Sequence, residues 1–280
     1  MGLFNVYPLY DVTPVSAKGI YVYDEDNREY LDLYGGHAVI SIGHGHPKYV
    51  KAITKQVAKL GFYSNAIQNP LQKQLANKIE KLSGCKDYQL FLCNSGAEAN
   101  ENALKLASFK TGKSRVISFK NGFHGRTSAA VAATDNATII APINAQQKVT
   151  TLELNDIEGV EKELKKGDVC AVLIEFIQGV GGLDQATAEF FEKVDALCKA
   201  NNTFFIADEV QSGYGRSGKF FAFQHYNVTP DIISIAKGMG NGFPIGGILI
   251  HPSIEAKFGL LGTTFGGNHL ACVASLSVLN

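Results

Sequence analysis

Apolar and polar positions alternate along residues 20–33 on both sides of an acidic turn (Asp24-Glu25-Asp26-Asn27), which predicts a β-hairpin. Two amphipathic repeats of helical period follow near 47–60 and 70–82, with Pro47 and Pro70 close to their starts, where proline's fixed φ suits a first helical turn. From about residue 88 the pattern changes to short apolar runs interleaved with helical ones. The predicted strands are 88–92, 115–119, 170–176, 203–207 and 231–235, and helices near 97–110, 156–165 and 187–201 fall between them. Runs that are apolar on both faces need cover on both faces, so the pattern implies a mainly parallel sheet between two helical layers, an α/β fold.

In such sheets ligands bind beyond the carboxyl ends of the strands. That places candidate chemistry in Asn94-Ser95-Gly96-Ala97, Gly122-Phe123-His124-Gly125-Arg126, Gln178-Gly179, Asp208-Glu209-Val210-Gln211 and Lys237-Gly238. Composition narrows the choice. Acidic and basic residues balance at 26 each, which leaves no basic footprint for nucleic acid or an anionic membrane. Five scattered cysteines without a Cys-x-x-Cys pair suit a reducing compartment and buried or free thiols better than disulfides or zinc. The N-terminus lacks the basic and apolar regions of a signal peptide, and no apolar run is long enough to span a bilayer, so a cytoplasmic location is expected.

Three of the strand ends bear on mechanism. Ser95-Gly96-Ala97 opens a helix, where free N–H groups and the helix dipole favour an anion such as a phosphate. An ordinary βα turn with Ser95 as N-cap fits the same residues. Asp208 and Glu209 end an apolar strand, where a buried carboxylate needs a positive partner. A protonated pyridine nitrogen, a metal ion or a structural arginine would each serve. Lys237 follows another buried strand; apolar surroundings lower a lysine's pKa and make it a nucleophile and base, although a lysine there can also snorkel to solvent. Two other patterns lead nowhere. Gly213–Phe220 nearly matches a phosphate loop, but Phe220 replaces the hydroxyl that would hold magnesium. Gly43-His44-Gly45-His46-Pro47 offers two histidines with no evident Cys or carboxylate partner, a structural turn rather than a metal site.

The order of these motifs is more specific than any one of them. Ser95-Gly96-Ala97-Glu98-Ala99-Asn100, Phe123-His124-Gly125-Arg126-Thr127, Asp208-Glu209-Val210-Gln211, Ile235-Ala236-Lys237-Gly238 and Thr263-Thr264-Phe265-Gly266-Gly267-Asn268 together resemble the class III (subgroup II) aminotransferases of pyridoxal 5′-phosphate (PLP) fold type I, nearest to the acetylornithine and succinylornithine aminotransferases. The resemblance implies that Ser95, Gly96 and Ala97 hold the cofactor phosphate and that Phe123 and Val210 pack on the two faces of its ring. It further implies that Asp208 pairs with the pyridinium nitrogen, Gln211 bonds the phenolic oxygen, and Lys237 forms the Schiff base and then moves the proton. Arg126 would bind a substrate carboxylate. Thr264 would reach the phosphate held by a second subunit, which implies a homodimer with shared active sites.

By the same resemblance, residues 1–60 form the N-terminal part of a small domain and 61–280 a PLP-binding large domain. The reaction implied is transfer of the δ-amino group of N-acetylornithine or N-succinylornithine to 2-oxoglutarate, in arginine biosynthesis. Ornithine and 4-aminobutyrate aminotransferases share the scaffold, and a non-catalytic PLP- or nucleotide-binding module is the alternative of another class. One position departs from the family pattern. Relatives usually read Glu-Pro-[Ile/Val]-Gln-Gly-Glu-[Gly/Ala]-Gly where this chain reads Glu175-Phe176-Ile177-Gln178-Gly179-Val180-Gly181-Gly182. Val180 cannot neutralise the arginine that the second glutamate pairs with in relatives, so a donor with an extra carboxylate is expected to suit the site as well as N-acetylornithine. The apolar helical pattern at Ser275–Asn280 carries no stop signal, so a further segment completing the small domain is expected, with weaker folding or PLP binding in its absence.

Overall fold

The computed structural model describes residues 1–280. Three short strands, β1 (Pro14–Lys18), β2 (Tyr21–Asp24) and β3 (Glu29–Leu31), form an antiparallel sheet. The expected hairpin is β2–β3, turned by Asp24, whose carboxylate accepts the N–H groups of Asp26 (3.0 Å) and Arg28 (2.9 Å). Its extra partner β1 was not anticipated, because Pro14–Lys18 shows no clear alternation. After a single turn α1 (Gly35–Ala38) come α2 (Pro47–Lys59) and α3 (Pro70–Ser83). Both long helices begin on proline. α3 is further delimited by Asn69, whose side chain accepts the Leu71 N–H, and by Gly84 at φ +70°, a left-handed stop that costs glycine nothing.

The second sheet has seven strands in the order β4 (Gln89–Cys93), β10 (Gly246–Ile250), β9 (Ile232–Ile235), β8 (Phe204–Asp208), β7 (Val169–Ile174), β5 (Arg115–Phe119), β6 (Val149–Leu152). Only β10 runs against the rest, pairing antiparallel with both β4 and β9. The five predicted strands stand within two residues of their expected limits; β6 and β10 are additions. Helices α4 (Gly96–Thr111), α5 (Ser128–Ala132), α6 (Ile157–Leu164), α7 (Ala188–Ala200) and α8 (His269–Val278), with three short 3-10 turns, complete the fold.

Two apolar layers flank this sheet. One is aromatic: Phe176 packs on Phe191 at 4.4 Å between centroids and on Phe205 at 6.0 Å, with Phe119 and Phe190 beside them, all buried. Each such ring contributes about 1.5–3 kcal/mol on burial. The other layer is built on α4, which presents Ala99, Ala103 and Ala107 to the strands. Small side chains there let the helix lie close over the sheet and bring its N-terminus against the ends of β8 and β9. All five cysteines are buried and free, as expected. No helix is long and apolar enough to cross a membrane.

Candidate active site

The carboxyl ends of β4, β5, β7, β8 and β9 converge on one cavity of about 360 Å³. Ser95, Gly96, Ala97, Phe123, Arg126, Asp208, Val210, Gln211 and Lys237 all line it, although they come from four separate stretches of sequence. Thr264 does not. It lies exposed in the loop before α8, outside the cavity.

One wall is the start of α4. Ser95 caps the helix, its hydroxyl accepting the Glu98 N–H at 3.1 Å, so both readings of this turn describe the same residues. The first-turn N–H groups of Gly96 and Ala97 have no helical carbonyl to bind. Gly96 has to be glycine: a Cβ there would lie 2.5 Å from Val210 Cγ1. The turn and Val210 are thus packed edge to edge, and the free first-turn N–H groups at the cavity wall suit an anion.

Asp208 sits at the floor, 3% exposed, and every bond it makes holds it still. Its Oδ2 accepts from Asn100 Nδ2 (2.7 Å) and pairs with His124 Nδ1 (2.7 Å), and its Oδ1 accepts the Val210 N–H (3.1 Å). Asn100 also donates to the His124 carbonyl at 2.8 Å, which ties α4 to the Phe123–Arg126 loop. Burial pulls the His124 imidazole down, but the hydrogen bond and charge of Asp208, with the charge of Glu175 added, leave it raised above its ordinary value. Glu175 is itself buried at the cavity edge and raised by desolvation. Its two oxygens accept the N–H groups of Phe123 (2.9 Å) and Gly179 (3.0 Å), clamping the two loops together. Asn100, His124 and Glu175 were not singled out as site residues from sequence. Asn100 and His124 lay inside the quoted motifs, but their convergence on Asp208 depends on a helix and a loop meeting in space.

The neighbouring carboxylate takes another path. Glu209 is fully buried and accepts from Ala222 N (2.9 Å), Phe223 N (2.8 Å) and Ser212 Oγ (2.7 Å), so it pins the 222–225 turn and does not line this cavity. Desolvation pushes its carboxyl up to about 7. Of the two acids at this strand end, only Asp208 serves the site.

Lys237 faces the cavity from the end of β9, at φ +46°, in the left-handed region. Burial lowers its pKa from the usual lysine value, while Asp208 and Glu175 work in the opposite direction. Gln211 approaches Gly179 so closely that a Cβ on the glycine would meet its carboxamide. Arg126 is exposed at the mouth and enters none of the chain's ion pairs. Val180 also lines the cavity, 63% exposed.

The two rejected motifs remain outside this cavity. The loop Gly213–Phe220 leads only into the 3-10 turn Ala222–His225, so it lacks the helix N-terminus a phosphate loop needs. His44 does have a carboxylate partner, contrary to the sequence reading: Asp32 Oδ2 lies 2.7 Å from its Nε2, and Asp32 Oδ1 accepts the Gly35 N–H. The pair is local and fastens the turn.

A family model described as aminotransferase class-III matches residues 5–280. The chain belongs to the class III aminotransferases. It is 42% identical to the acetylornithine aminotransferase of Bacillus subtilis over 97% of its length and 71% of that protein. With the acetylornithine aminotransferase of Caldanaerobacter subterraneus it shares 44% identity, over 99% of its own length and 72% of the relative's. Among solved structures, the taurine:2-oxoglutarate aminotransferase of Bifidobacterium kashiwanohense, in complex with PLP and glutamate, superposes with a TM-score of 0.91 at 27% identity, covering all of this chain and 70% of that one. This aminotransferase therefore uses PLP, and its cavity fits that cofactor. The glycine-permitted turn at Gly96 suits a phosphate, the pinned Asp208 a ring nitrogen, and the half-buried Lys237 an aldehyde.

Proposed function

We propose that this aminotransferase moves the δ-amino group of an N-acylornithine to 2-oxoglutarate, a reading supported by the acetylornithine aminotransferases it matches over most of their length. The observation that carries the reading is Arg126, an arginine without an acidic partner, lining the same cavity as Lys237 and Asp208. Its planar fork binds a substrate carboxylate in two parallel bonds and so leaves the other end of the substrate for Lys237. When bound, PLP supplies an electron-withdrawing ring that stabilises negative charge on the reacting carbon. Asp208, held by Asn100 and His124, keeps the ring nitrogen protonated. The Nζ of Lys237 would act as the base that takes the proton from the substrate carbon bearing the amino group, and then as the acid that gives it back. Phe123 and Val210 would pack on the two faces of the ring, Ser95 and the N–H groups of Gly96 and Ala97 would hold its phosphate, and Gln211 would bond its phenolic oxygen.

The further elements of this proposal are architectural. Residues 1–60 belong with a small domain and 61–280 form the large domain; no strand of the β1–β3 sheet pairs with the seven-stranded one. Thr264 and Phe265, exposed outside the cavity, reach a second subunit in a homodimer with shared active sites. The cytoplasm is the compartment in which five free thiols stay reduced.

The test is a panel of amino donors read as glutamate formed from 2-oxoglutarate. N-acetylornithine and N-succinylornithine are expected to be used with comparable kcat/KM, because Val180 brings no charge to the mouth. Ornithine and 4-aminobutyrate are expected to be poorer. In the same assay Arg126→Ala is expected to raise the donor KM by about 100-fold, the scale of a lost bidentate charged contact. Preference for 4-aminobutyrate, or an Arg126→Ala protein with unchanged KM, would overturn the reading.

A further inference from the structure

Residues 38–49 lie far from the catalytic lysine in sequence, yet side chains tie them to its loop. Asn241 makes the main knot. Its Oδ1 accepts the N–H groups of Ser41 (2.8 Å) and Ile42 (3.0 Å), and its Nδ2 donates to the Gly43 carbonyl (3.1 Å). Ser41 Oγ donates to the Gly238 carbonyl (2.7 Å) and the Tyr49 hydroxyl to the Gly240 carbonyl (2.8 Å). On the other side, Arg216 spans from the Ala38 carbonyl (3.0 Å) to the Gln211 carbonyl (3.2 Å). The segment is slung between the two loops that carry Gln211 and Lys237, and its Val39 lines the cavity.

Asn241 is buried at φ +48°, a conformation that asparagine tolerates better than most side chains. The lysine loop does not need it for its own closure. Gly240 N–H to the Lys237 carbonyl (3.0 Å) and Phe243 N–H to the Gly240 carbonyl (3.1 Å) already turn that loop. What the three carboxamide bonds fix is the distant segment.

We propose that Asn241 is a positioning residue for substrate: by fastening residues 41–43 to the lysine loop it holds Val39 in place as a wall of the substrate cavity. Donor binding then depends on Asn241, whereas cofactor loading and proton transfer do not. The proposal rests on the reading of this cavity as the site of amino transfer.

Asn241→Gly isolates the effect, since glycine sits at φ +48° without strain and only the three bonds are lost. In the cofactor-loaded protein the donor KM is expected to rise about tenfold, with kcat within about twofold of wild type, as for a wall displaced by a fraction of an ångström. The visible absorbance of bound cofactor is expected to match wild type. An unchanged donor KM overturns the proposal, as does a variant that loses cofactor and falls in kcat and KM together, because either result makes Asn241 ordinary loop scaffolding. Should Asn241→Gly prove insoluble, Ser41→Ala, which removes only the bond to Gly238, carries the test, with a smaller rise in KM expected and no rise overturning it. A wild-type protein that forms no glutamate from any ω-amino donor fails at the earlier step and overturns the functional reading itself.

Discussion

Lys237→Ala abolishes amino transfer, lowering kcat by at least about 10⁴-fold, the upper range for a positioned general base and more once the covalent role is counted. The expectation follows from where the lysine sits. It lies two residues beyond a strand buried along its whole length, lines the cavity opposite no other amine, and is held by burial below the usual lysine pKa. No other lysine lines the cavity to take its place. The fold itself is expected to survive. Alanine adds no backbone strain at φ +46°, where the lysine already stands in the left-handed region, and it removes a desolvated amine. Single-turnover assays and the visible absorbance of reconstituted protein check the claim, with circular dichroism confirming the fold. Lys237→Arg separates charge from chemistry, because an arginine keeps a cation there but does not give up its proton. Turnover of either variant within tenfold of wild type would mean that another group carries the reaction.

Most of the large sheet was legible because both its faces are covered. β7 reads as an unbroken apolar run for that reason, β5 is buried throughout although Arg115 and Ser118 interrupt its pattern, and the limits of both came out nearly as drawn. β10 escaped because it opens Gly246-Gly247, residues that argue against a strand. The structure supplies the reason for them: a Cβ on Gly246 would lie 2.6 Å from the Ser95 carbonyl, and one on Gly247 2.6 Å from that of Phe91. The reversed strand β10 is pressed between β4 and β9, and side chains there would push the Ser95 turn and β4 away from it. β6 escaped for a simpler reason, since an edge strand of four half-buried residues has little pattern to show.

The site divides along similar lines. Asp208 and Lys237 could be read because each follows an apolar strand, where a charged residue is conspicuous. Glu209, next in sequence, was equally conspicuous and plays another role: adjacent residues at a strand end point to opposite sides, and the second carboxylate turns into the interior to hold Ala222 and Phe223. Asn241 had no local signal at all. Its worth lies in three bonds to a segment about two hundred positions away, which no window of sequence contains.

Asp208→Asn is expected to lower kcat by about 10²–10³-fold with little change in substrate KM, the scale for losing one preorganised electrostatic contact. The carboxamide has one oxygen where the carboxylate has two. If its NH₂ replaces Oδ2 it faces two donors, Asn100 Nδ2 and His124 Nδ1; if it replaces Oδ1 it faces the Val210 N–H. Either orientation leaves a buried mismatch, and the stability cost is about 2–4 kcal/mol. That cost carries a pH signature. His124 is raised above its ordinary value only because Asp208 and Glu175 outweigh its burial. A histidine raised in the folded state contributes stability that is fully present below its unfolded pKa, about 6.5, and is lost as pH rises through the folded value. Asp208→Asn removes most of that contribution. The gap in denaturation midpoint between wild type and variant is therefore widest near about pH 6 and narrows as His124 deprotonates at alkaline pH. A gap that stays constant across the range would show that His124 is neutral beside Asp208, and that the aspartate is held by hydrogen bonds without the charge of the imidazole.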